Sequence, residues 1–106
     1  MKEHQYILLT VTFTEEEDKT WLAKCEELGT STYGDNFEEV KNEIDELICL
    51  HLNSLEKLGE RERFFKENNI KLYTTEYIPE KIKTKTPVNP KTFVNTFAQD
   101  LTCVPT

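Results

Sequence analysis

Glycine is scarce in this chain, three residues in 106, and none belongs to the complete fingerprint of a phosphate-cradling loop, since Gly34 is followed by Asp35-Asn36. A nucleotide site of that kind is excluded. Histidine numbers two and cysteine three, with no Cys-x-x-Cys pair and no histidine at zinc-ligand spacing, so neither a zinc ribbon nor a zinc finger is encoded. Cys25, Cys49 and Cys103 are odd in number and far apart, and they read as free thiols in a reducing cytoplasm. No apolar run approaches the roughly 20 residues needed to cross a bilayer. Met1 to Gln5 does not open a signal peptide, and the expectation is a cytoplasmic protein away from membranes. Positive charge is also short: 13 Lys and Arg stand against 20 Asp and Glu, a net of -7 with a pI near 4.9. That balance disfavours nucleic acid or an anionic surface as a ligand and suits a basic protein partner.

The deficit is uneven. Up to Ile78 there are 18 acidic and nine basic side chains, and from Pro79 onward two acidic and four basic, so an acidic body precedes a mildly basic tail. The length fits one domain, and with 37% hydrophobic residues the core is small enough to gain from homo-oligomerisation.

What is present is patterned. Tyr6 to Thr14 alternates, with Ile7, Leu9, Val11 and Phe13 on one strand face, the face expected to meet a helix. Glu15-Glu16-Glu17-Asp18 follows as a charged hairpin loop, and Lys19 to Leu28 returns as a second strand with Trp21, Ala23 and Cys25 on one side. Gly29 and Gly34 are each expected to supply a positive φ at a turn, around a short third strand from Thr30 to Tyr33. Asn36 then suits an N-cap with Glu39 three positions on, as in a capping box. The helix predicted from Phe37 to about Leu58 places Phe37, Val40, Ile44, Leu47, Ile48, Leu55 and Leu58 on one stripe. A short helix is expected over 60–68, with Phe64 and Phe65 docking back on the sheet, and a fourth strand over 70–78.

Trp21, Ala23, Cys25, Glu27, Leu28, Gly29, Gly34, Asp35, Glu38 and Glu39 together resemble the core motif of the HicB family of bacterial antitoxins. The resemblance covers roughly residues 5 to 78, and the chain departs from the usual pattern by lacking the prolines that flank Glu-Leu before the glycine corner. It implies an α+β fold with a small antiparallel sheet in the order β-β-β-α-(α)-β, the partial ribonuclease-H-like fold of that family. Residues 1–78 would form this domain. Residues 79–106 would be a basic C-terminal tail, either a short docking helix carrying Phe93, Val94, Phe97 and Leu101 or an extended arm.

No catalytic constellation is legible. Glu15 to Asp18 are consecutive in one loop, whereas metal-assisted hydrolysis needs carboxylates converging from separate elements, so no metal, cofactor or catalytic residue is expected. His4 and His51 lack an identifiable nucleophile or orienting acid, and Cys25 and Cys49 read as small buried hydrophobes. The 28 residues after Ile78 are too few for a helix-turn-helix unit. Direct DNA binding is not expected. The resemblance instead implies a protein that neutralises a small basic HicA-type ribonuclease by covering its active site, with no chemistry of its own. Glu15, Glu16 and Asp18 of the hairpin, with Glu26 and Glu27 beside the glycine corner, are the candidate partner-binding residues. The alternative is an orphan HicB-like structural or adaptor protein without toxin partner or DNA-binding domain.

Overall fold

A computed structural model describes residues 4–75 and 91–101, together with the backbone of 84–89. The described elements run β1 (His4–Glu15), β2 (Trp21–Cys25), β3 (Thr30–Gly34), α1 (Phe37–Lys57), α2 (Arg61–Glu67), β4 (Tyr73–Thr75), β5 (Thr84–Asn89) and β6 (Thr92–Asp100). All pairings are antiparallel, in the order β3-β2-β1-β6-β5, with β4 on the opening residues of β1 in line with β2. The protein is a small α+β domain with one antiparallel sheet and two helices.

The alternation in β1 governs the core. Ile7, Leu9, Val11 and Phe13 are at most 2% exposed and face α1, which presents Val40, Ile44, Ile48 and Leu52. Ala23 and Cys25 complete the layer from the second strand, as the sequence predicts, while the strand ends at Cys25 short of the expected Leu28, and Leu28 joins the layer from the turn that follows. The helix stripe differs from the expected one. Leu52 belongs to it, Leu47 and Leu55 are only partly buried and lie outside the core cluster, and Leu58 is the C-cap residue and stands 73% exposed, because the helix ends before that position. At the other end the Asn36 side chain accepts a hydrogen bond from the Glu39 N–H at 2.9 Å, and Glu38 and Glu39 lie in the positive first turn.

The two corner glycines serve different needs. Gly29 has φ +69 in the turn between β2 and β3, which a side chain would strain. Gly34 does not have a positive φ, and the expectation of a second left-handed corner is corrected. It is required by space, since a Cβ there would lie 2.7 Å from the backbone nitrogen of Val40. Absence of a side chain lets the sheet corner close on the first turn of α1.

The predicted fourth strand is present only as Tyr73–Thr75 among the described residues, and positions 76–78 lie outside them. Tyr73 stacks on Tyr6 with ring centroids 5.0 Å apart. Ile70 is buried before the strand begins, and Phe65 anchors α2 as expected.

The largest correction concerns the tail. Thr92–Asp100 is neither a helix nor a free arm: it is β6, paired with β1 continuously from Thr14↔Thr92 to Tyr6↔Asp100. Phe93 stacks on Phe13 at 5.2 Å, Phe97 packs on the core and Leu101 is buried. The physical reason is two-fold. Threonine and valine favour strand over helix, and a strand beside β1 satisfies a full ladder of backbone groups that a docked helix would leave open.

Candidate interaction surface

The hairpin joining β1 to β2 is held by its own polar groups. Glu16 donates its N–H to the Thr20 carbonyl at 2.7 Å, Lys19 donates to the Glu16 carbonyl at 3.0 Å, and Lys19 takes φ +73 to close the turn. The Asp18 carboxylate accepts from the Thr20 N–H at 3.1 Å and from the Thr20 hydroxyl at 2.6 Å. Those bonds favour the charged carboxylate and lower its pKa. Glu16, Glu17, Asp18 and Thr20 border an open concavity of about 470 Å³ whose far wall is Tyr33, 62% exposed on β3.

Glu15 stands apart from that site. It is the last residue of β1, half-buried, and its N–H is taken by the Lys91 carbonyl at 2.7 Å at the neck of the β5–β6 hairpin. Glu26 and Glu27 lie beyond the opposite end of β2, on the order of 15 Å from the hairpin by strand rise. Glu27 is engaged. Its Oε1 accepts the Thr10 N–H at 2.7 Å, supplying the acceptor that β2 no longer offers once the chain turns away at Cys25. Glu26 is exposed, with a long 3.5 Å contact from the Thr12 hydroxyl. Of the five expected residues, then, Glu16 and Asp18 are brought together, Glu26 forms a separate acidic point, and Glu15 and Glu27 are committed to the sheet.

Sequence reasoning missed a second flank of β3. Glu39, Glu43 and Glu46 recur at spacings of four and three, which puts them on one side of α1. Glu43 accepts the Thr32 hydroxyl at 3.1 Å, and Thr32, Glu43, Glu46, Leu47 and Leu50 enclose a groove of about 270 Å³ between helix and strand edge. Leu50 is 45% exposed there. The available signal was a leucine lying outside the core stripe next to regularly spaced glutamates.

The Thr30 hydroxyl and His51 Nδ1 are 3.2 Å apart, and the His51 ring lies against Phe64 at 5.4 Å. Among the described residues no group of three or more His, Cys, Asp or Glu side chains is set to hold a metal ion. Cys25 is free and fully buried, but Cys49 is disulfide-bonded, so the reading of three free thiols is corrected and its argument for a reducing compartment lapses. No helix among the described residues is long and apolar enough to cross a membrane.

Burial pushes the Cys25 thiol up from its ordinary value of 9.0 to about 11. An acid whose pKa is raised by folding contributes stability that is complete below pH 9.0 and is lost as pH rises toward about 11. The expected result is an alkaline loss of unfolding free energy of about 3 kcal/mol attributable to this residue. Urea denaturation of the wild type and of Cys25→Ala across that range measures it, and equal slopes would refute it. No family model, curated protein or solved structure matches the chain.

Proposed function

We propose that the protein is a HicB-like antitoxin module, which neutralises a small basic ribonuclease by covering its catalytic groove. The observation that carries this reading is the concavity formed by Glu16, Glu17, Asp18 and Tyr33: carboxylates held by an ordered turn beside an exposed aromatic ring on a rigid sheet. Clustered negative charge speeds encounter with a cationic partner, and an exposed tyrosine supplies contact area at small entropic cost. The residues carrying the family resemblance also have compatible roles. Trp21, Ala23, Cys25 and Leu28 contribute to the core layer, Gly34 lets the sheet corner close on α1, and Glu38 and Glu39 lie in the first turn of that helix.

The test is inhibition of RNA cleavage by a small basic ribonuclease with a double-stranded-RNA-binding fold. Stoichiometric protein is expected to stop cleavage and to comigrate with the enzyme on size exclusion. In the double variant Glu16→Lys and Glu17→Lys, association at low salt is expected to slow about tenfold, with a smaller change in dissociation. Full-rate cleavage at stoichiometric protein, or an association rate indifferent to both salt and charge reversal, counts against the proposal.

A further inference from the structure

The open edge of β3 is set up to accept another strand. Glu26 donates its N–H to the Thr10 carbonyl at 2.9 Å, which fixes the even-numbered residues of β2 as those bonded to β1 and leaves its odd-numbered residues bonded to β3. In the β2–β3 register Ser31 lies opposite Lys24 and Tyr33 opposite Leu22. Ser31 and Tyr33 therefore turn their backbone N–H and C=O groups outward, and among the described residues no strand pairs with them.

The two sheet edges differ in how they are guarded. On the far side, β5 contains Lys85 and Pro87 and its register shifts between Pro87 and Asn89. Lysine, proline and bulges are the usual devices that discourage strand addition. The five residues of β3, Thr-Ser-Thr-Tyr-Gly, include none of them, and their pairing with β2 is unbroken. What flanks this edge is selective. On the helix side an added strand would lay alternate side chains into the groove of Leu47 and Leu50, bordered by Glu43 and Glu46. On the other side lie Tyr33 and the Glu16, Glu17 and Asp18 carboxylates.

We infer that the β3 edge binds an extended segment of a partner protein by strand addition, and that this segment alternates apolar side chains, seated against Leu47 and Leu50, with lysine or arginine. Backbone pairing supplies affinity, the groove selects alternate residues, and carboxylates on both flanks select positive charge. The length of β3 limits the paired stretch to about five residues. This deepens the reading of the chain as a protein-binding module and does not require the partner to be a nuclease.

The experiment selects a random peptide library on the full protein and maps the enriched peptides by amide NMR. Enriched sequences are expected to alternate basic and apolar residues, to shift the Ser31 and Tyr33 amides and to slow their hydrogen exchange. Ser31→Pro removes only an outward N–H, and it is expected to weaken binding about tenfold. Leu50→Lys places a like charge in an exposed groove position, tests the same surface without touching the sheet, and is expected to weaken binding by a similar factor. The inference is overturned by absence of enrichment, by peptides lacking the alternation, by shifts confined to other surfaces, or by unchanged affinity in Leu50→Lys. It is equally overturned if the β3 amides shift with protein concentration alone, which would assign this edge to a second copy of the chain. RNA cleavage is not part of this readout, so failure of the nuclease proposal leaves it standing or falling by itself.

Discussion

Ending the chain before Thr84, so that β5 and β6 are lost, is expected to abolish cooperative unfolding and leave a species without near-ultraviolet circular dichroism. The deletion strips the whole ladder from one edge of β1, the strand on which the other elements are built. It also uncovers the core at Phe13, which stacks on Phe93, and removes Phe97 and the buried Leu101. Burial of those three side chains contributes roughly 2 kcal/mol each. The sum rivals the total stability of a small domain, about 5 to 15 kcal/mol, before any ladder bond is considered. A truncated chain that melts sharply, with wild-type dispersion of its amide resonances, would show that β6 is an appendage.

Gly34→Ala is expected to destabilise the fold by about 3 kcal/mol, near the upper end of what overpacking costs. The new methyl carbon would sit 2.7 Å from the Val40 nitrogen and 2.9 Å from its Cβ, and neither is the movable end of a flexible side chain. Relief requires the first turn of α1 to lift from the sheet corner. That movement would disturb the Trp21, Phe37 and Phe93 rings, which meet one another there at 5.2 to 6.2 Å. Urea denaturation measures the loss, and the tryptophan emission of the folded variant reports whether the corner has opened. Gly29→Ala is a useful contrast, since nothing lies within 4 Å of a Cβ there and only backbone strain opposes it.

Much of the first two-thirds of the fold was legible because its signals are local. Alternation in β1, the cap at Asn36 and the stripe through Val40, Ile44 and Ile48 each depend on neighbours a few residues away. The β6 strand was not legible, for a reason visible in its inward face. Phe93 and Phe97 alternate there with Asn95 and Gln99, which line a hollow of about 260 Å³ beside Lys41 and Asp45 in place of core. That polar interruption breaks the strand signature, while Phe93, Phe97 and Leu101, spaced by four, imitate a helix. The candidate site was legible to a similar degree. A run of carboxylates in a turn announced itself, but only coordinates separate Asp18, which orders the loop, from Glu27, whose oxygen has become part of the β1 ladder. The acidic flank of α1 went unread because its glutamates acquire meaning only beside a strand edge brought there by tertiary packing.

Pairing of β1 with β6 has a consequence for how the molecule comes into being. Strand β1 cannot be flanked on both sides until the strand ending at Asp100 has also been made. During synthesis β1 can pair with β2 and receive α1, yet one long side stays bare, with Val11 and Phe13 close to it. Topologies closed by contacts between distant parts of a chain fold slowly and expose sticky intermediates. Nascent copies are thus vulnerable to one another until β6 has been made, and yield in the cell should depend on chaperone capacity more steeply than the stability of the finished domain would suggest.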